Sequence, residues 1–294
     1  MSGLTTVVKK SLSALASAVT IALAASYPAL AATFLSTADS LDNGYIGTID
    51  TSTATFKPLL TTPDIQFLDI ALSETQDIFG FDDTRLYNID LNQKTATQLS
   101  EVGTQLFFLY GDPLGVNALG FDNNGELFGT GSVGRFYKIP TSSDILADDD
   151  FFNDITLISD LAPEFGSAGD IVFNPERNEF LAASFLPESS TLFSISLDGT
   201  ATKVGSIGFD NVNGLLFDNG TLFGYTQDGQ QIVIDATTGA GTFDRQVTGL
   251  NGQQILGAAS EPVPEPSSVI GLLVLGAVGA GSALKHKNRR KHLT

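Results

Sequence analysis

Asp69, Asn117, Asp170 and Asn213 stand at matching places in four repeated segments of this 294-residue chain, each at the opening of a short apolar run. Carboxylate and amide oxygens arranged in a ring can hold a hard cation such as calcium, or hydrogen-bond the hydroxyls of a sugar. Gln253 or Gln254 falls near the corresponding place in a fifth, split segment. The same residue types also serve simply to open strands from turns. Other chemistry is excluded by what the body lacks. Cysteine is absent, and the two histidines, His286 and His292, lie in a basic tail. A Ser-His-Asp triad, a Cys-His pair, thiolate ligation and a histidine-bound zinc have no residues from which to form. Two carboxylates about 5 to 9 Å apart could still cleave a glycosidic bond, so a carbohydrate-active enzyme using channel carboxylates stays open as the alternative. No phosphate loop, dinucleotide fingerprint or nucleophile elbow occurs, and the balance leans towards binding. No cofactor is expected, with calcium the one ion the ring could take.

Charge narrows the partners. The formal net charge is -18, but seven of the 15 basic residues cluster at the ends: Lys9, Lys10, Lys285, Lys287, Arg289, Arg290 and Lys291. The middle keeps eight basic residues against 33 acidic ones, a balance of about -25. Such a surface repels nucleic acid and anionic lipid. Cations, neutral sugars and basic proteins remain.

The elements that must position these side chains follow from the repeat. First-strand segments begin at Leu68, Val116, Gly169, Val212 and Ile255, separated by 48, 53, 43 and 43 residues. Each is followed by a polar turn, an aromatic strand such as Ile78-Phe79-Gly80 or Leu222-Phe223-Gly224, another turn and an alternating strand. Leu72 to Phe79, Phe121 to Phe128 and Phe173 to Phe180 are each seven apart. Periods near 45 residues suit a four-stranded propeller blade. The fifth copy is divided, Ile255 onward supplying the first strand and Thr33 to Leu60 the rest, which closes a ring and removes exposed edges. The expectation is an all-β, five-bladed β-propeller over residues 32–261. A β-sandwich explains the alternation but not a repeat in phase.

Three local features have plain readings. The insertion from Thr141 to Gly166 lengthens one blade, and its Asp148-Asp149-Asp150 run reads as a solvated acidic loop rather than a cation site. Phe107, Phe108 and Tyr110 read as packing between sheets, although they could offer a stacking face to sugar rings. Asp122-Asn123-Asn124-Gly125-Glu126 lacks the ligand spacing of an EF-hand and reads as a turn.

The ends carry addresses. Lys9 and Lys10, an apolar run and the small-x-small step Ala29-Leu30-Ala31 describe a secretory signal peptide over residues 1–31. At the other end, Val269 to Leu284 is an uncharged run of 16 residues, about 24 Å as a helix and so marginal for a hydrocarbon core of about 30 Å. Basic residues after it would hold the terminus inside while the body is exported. Val263-Pro264-Glu265-Pro266, the Gly- and Leu-rich run and the basic cluster together resemble the PEP-CTERM sorting signal of Gram-negative bacteria. The resemblance covers residues 262–294 and implies a transmembrane sorting helix, recognition through Pro264, Glu265 and Pro266, and a sorting protease of the exosortase type as partner. It also implies frequent company with exopolysaccharide. The expectation is therefore an exported protein, anchored at its C-terminus before processing, whose propeller binds or builds in the envelope or extracellular matrix, with polysaccharide or an envelope protein as its partner.

Overall fold

The computed structural model describes residues 32–101, 106, 115–141, 155–161, 163–186 and 190–261. The expected signal peptide, the sorting segment with Pro264, Glu265 and Pro266, the Asp148–Asp150 run and the expected Phe107, Phe108 and Tyr110 packing lie outside the described residues.

Among the described residues, twenty strands form five antiparallel four-stranded sheets. The first begins with β1 (Thr33–Ala38), β2 (Gly44–Asp50) and β3 (Thr55–Thr62). The second holds β4 (Asp69–Leu72), β5 (Ile78–Phe81), β6 (Leu86–Asp90) and β7 (Thr95–Ser100), and the third β8 (Ala118–Phe121), β9 (Leu127–Thr130), β10 (Arg135–Ile139) and β11 (Thr156–Asp160). The fourth is β12 (Ser167–Asn174), β13 (Glu179–Ser184), β14 (Thr191–Ser196) and β15 (Ala201–Ser206). The fifth is β16 (Val212–Asp218), β17 (Thr221–Thr226), β18 (Gln230–Ile234) and β19 (Gly241–Gln246). The last strand, β20 (Gln254–Ser260), pairs with β1 from Thr33↔Ser260 to Ala38↔Gln254 and so becomes the innermost strand of the first sheet. Innermost strands β20, β4, β8, β12 and β16 each lie against the next, and β16 returns to β20. This is the five-bladed propeller expected, closed by strands from both ends of the body. One detail differs. The Thr141–Gly166 insertion is more than a loop, because β11 within it is the outermost strand of its blade, paired with β10.

Phenylalanines fill the space between blades. Phe79 meets Phe121 edge-on at 5.5 Å, and Phe128 lies 5.2 Å from Phe180 of the next blade. The repeated Phe-Gly pair has a packing cause. A Cβ on Gly80, Gly129 or Gly224 would stand 2.8, 2.9 or 2.7 Å from the Cδ1 of Ile89, Ile139 or Ile234. Glycine in the second strand makes room for an isoleucine from the third.

Much of the acidity is turn chemistry. Asp50, Asp90 and Asp235 each accept backbone N–H bonds from residues two and three further on, between the third and fourth strands of their blades. Asp122 likewise accepts from Asn124 and Glu126 at 2.9 and 2.8 Å, which makes its segment the turn that was expected.

Candidate functional site

An innermost strand has a sheet partner on one side only, so alternate N–H groups along it face the propeller axis and need acceptors. Every innermost strand here also bulges near its start. Phe81 accepts the Leu68 N–H while facing Asp69, and Thr130 accepts the Asn117 N–H while facing Ala118. The register slips between Ser167 and Ile171, between Val212 and Gly214, and in β20 where Ser36 and Thr37 face Gly257 and Ile255. An extra residue of this kind re-aims the side chains beside it.

The result is a closed polar plug on the axis. Asp69 Oδ1 accepts the N–H of Ile70 at 2.8 Å and its Oδ2 that of Leu119, on the next blade, at 2.7 Å. Asp170 Oδ2 accepts Leu215 at 2.6 Å, again on the next blade, and Ala258 at 3.0 Å, one blade further. The Ile171 N–H also acts on the Asp170 carboxyl, and the Ala258 N–H on that of Asp69. Two carboxyl groups thus face five inward N–H groups, one from each blade, and accept hydrogen bonds from four of them. Both are fully buried. Gly257 leaves the room they need, since a Cβ there would lie 2.2 Å from Asp69 Oδ1. Burial pushes both carboxyls well above the usual carboxylate range, and the Asp170 charge raises Asp69 further. Two acids facing the same donors in a dry site cannot both ionise cheaply. Among the described residues, Asp170 Oδ1 has no hydrogen-bond partner.

The four residues singled out from the sequence therefore divide. Asp69 and Asp170 converge, but inside the ring rather than at an open channel mouth, because the bulge turns them onto the backbone edge of neighbouring blades. Asn117 and Asn213 sit one residue before the equivalent positions. Their Nδ2 atoms donate across blades to the carbonyls of Ser167 at 3.0 Å and Ile255 at 3.2 Å. Among the described residues, the Oδ1 of Asn117 has no partner. Gln253 accepts from Thr37 Oγ1 at 2.7 Å, and Gln254 accepts from Gln227 at 3.1 Å.

The two asparagines line a polar cleft of about 530 Å³ together with Ser167, Ser190, Asp210 and Phe185. Phe185 is 47% exposed, one side of its ring lying over the Gly166 backbone, where a Cβ would be 2.8 Å away. Asp210 and Asn211 also border a second polar hollow that reaches Asp228 and Gln230. Sequence reading missed Phe185 and Asp210, which fall beside strands rather than in the repeated pattern; an aromatic just past the end of β13 was the one available signal. Among the described residues, no group of three or more acids or histidines is placed to hold a metal ion.

Residues 262–290 match the PEP-CTERM protein-sorting motif. No curated protein matches the sequence. In fold, the body is similar to a chain of a nidogen–laminin complex, with 12% identity and a TM-score of 0.52 over 78% of this chain and 98% of that one. It is also similar to a structural genomics protein of unknown function from Bacteroides thetaiotaomicron VPI-5482, with 13% identity and a TM-score of 0.50 over 76% of this chain and 61% of that one. At such identities the likeness concerns the fold alone. Among the described residues no helix is long and apolar enough to cross a membrane. The chain carries a PEP-CTERM sorting motif behind a five-bladed propeller body, and the motif implies an exported protein processed by an exosortase.

Proposed function

We propose that the propeller is a binding module of the cell envelope or extracellular matrix that takes neutral saccharide in the cleft lined by Asn117, Asn213, Asp210 and Phe185. The observation that carries this reading is an exposed phenyl face beside amide, hydroxyl and carboxylate groups in one hollow. An aromatic face covers the apolar side of a pyranose while the polar groups take its hydroxyls. The strongly acidic body is compatible with an uncharged polymer and repels anionic ones. The export that the sorting motif implies supports this reading, since such polymers occur outside the cell. Catalysis by the axial acids has less support, since Asp69 and Asp170 are fully buried and turned towards backbone N–H groups. Microcalorimetry with the exopolysaccharide of the producing cell tests the reading. Phe185→Ala is expected to weaken binding about three- to tenfold without changing the melting temperature. Hydrolysis of that polymer, lost in Asp170→Asn, would favour the enzyme reading instead.

A further inference from the structure

The opposite end of the axis is built differently from the polar cleft. A cavity of about 210 Å³ opens there, its wall formed by Leu72, Phe121, Phe173 and Phe217 at equivalent positions of four blades, with Ala259 from the fifth. An apolar cavity of about 150 Å³ in another protein stays dry and accepts a single aromatic ring, so this one is large enough for a compact hydrocarbon body.

The wall also offers donors. Ser73 and Asp122 give their N–H groups to Asp77 and Glu126 on the sheet side of their strands. Alternation then turns the N–H groups of Leu72 and Phe121 towards the axis, as those of Ile70 and Leu119 are turned two residues earlier. Phe173 follows Ile171 in the same way. Phe217 shows the direction outright, because its N–H donates to the Ser260 hydroxyl of the neighbouring innermost strand at 3.2 Å. The deeper ring of five N–H groups is closed by two carboxyl groups of the chain itself. Among the described residues the outer ring has one side-chain acceptor, Ser260 Oγ, and it faces the cavity.

We propose that this socket binds a small uncharged molecule with a compact apolar body, about the size of one aromatic ring, and a carbonyl-type oxygen directed at the N–H groups of Leu72, Phe121 and Phe173. An anion is disfavoured because the Asp69–Asp170 pair lies directly beneath and Glu176 and Glu261 stand at the rim. The cation at the rim, Arg177, is already engaged with Glu179 at 3.7 Å and with the Ala236 carbonyl at 3.4 Å. The socket is separate from the saccharide cleft and does not depend on that reading.

Three probes of matched shape test it on the full chain: acetophenone, ethylbenzene and benzoate. Acetophenone is expected to shift the backbone amide resonances of Leu72, Phe121 and Phe173 in a proton–nitrogen correlation spectrum, while those around Phe185 stay still. Ethylbenzene, which lacks the oxygen, should bind about three- to tenfold more weakly. Benzoate should also bind more weakly than acetophenone. Thr237→Trp, at an exposed rim position, should abolish binding, and Phe185→Ala should leave it unchanged. Equal affinity for ethylbenzene would overturn the role of the N–H ring, and preference for benzoate would overturn the charge argument. Absence of shifts at the three amides, or binding indifferent to Thr237→Trp, would overturn the site.

Discussion

At the scale of residues, Asp69 and Asp170 are the acceptors that let five blades meet at one axis. Truncating either leaves at least two inward N–H groups without a partner. Asp170→Ala is expected to lower unfolding free energy by about 2–5 kcal/mol, measured by chemical denaturation. The pair also sets a pH dependence whose sign can be stated. Because the folded-state carboxyls are raised, the folded protein holds more protons than the unfolded chain above about pH 3.9. Their contribution is therefore full below that pH and declines as pH rises through the raised folded values. Turn acids act oppositely. Asp39, lowered to about 2 chiefly by the Tyr45 hydroxyl, contributes above about pH 3.9 and loses its contribution as pH falls towards 2. Denaturation curves from pH 4 upward should fall less steeply for Asp170→Asn than for the wild type, by up to about 1.4 kcal/mol per pH unit. Parallel curves would contradict the raising of these carboxyls by burial. The sequence marked all four polar positions at the strand openings, yet it could not separate Asp69 and Asp170 from Asn117 and Asn213. That distinction rests on a one-residue bulge, which alternation in sequence does not reveal.

At the scale of elements, the blade is specified by small residues as much as by large ones. Gly129→Ala places a methyl group 2.8 Å from Val116 Cγ1 and 2.9 Å from Ile139 Cδ1, and is expected to cost about 1–3 kcal/mol in thermal or chemical unfolding. A neutral result would mean that third-strand isoleucines are free to move. The Phe-Gly repeat was legible as a pattern before its cause was known, and the divided fifth blade was legible from matching segments at both ends. Two features were not. The strand β11 has half-buried residues and no clean alternation, so it reads as part of an insertion. The seven-residue spacing from Phe173 to Phe180 equals its counterparts in number only, because Phe180 faces Phe173 whereas Phe128 faces Gly120. Four residues separate the paired Asn174 and Glu179, against five between Leu72 and Ile78 or Phe121 and Leu127, and this shifts the register by one.

At the scale of the whole molecule, closure ties the blades into one unit. β1 carries fully buried Leu35, which packs with Ile255 and Leu216 of the closing region. Leu35→Ala should therefore lower a single calorimetric transition for the entire body, by about 2–5 kcal/mol in stability, rather than release one blade early. The two ends of the axis carry unlike surfaces, a polar cleft with an exposed phenyl ring and an apolar socket, and the axial acids lie between them. Fold alone does not choose a ligand, so the functional claim rests on the cleft. Its most direct test is microcalorimetric titration of the protein and its Phe185→Ala and Asp210→Ala variants with the neutral polysaccharide of the producing cell. The account predicts saturable binding by the wild type, reduced severalfold in both variants while their melting temperatures hold; binding that both variants retain in full, or no binding by the wild type, would contradict it.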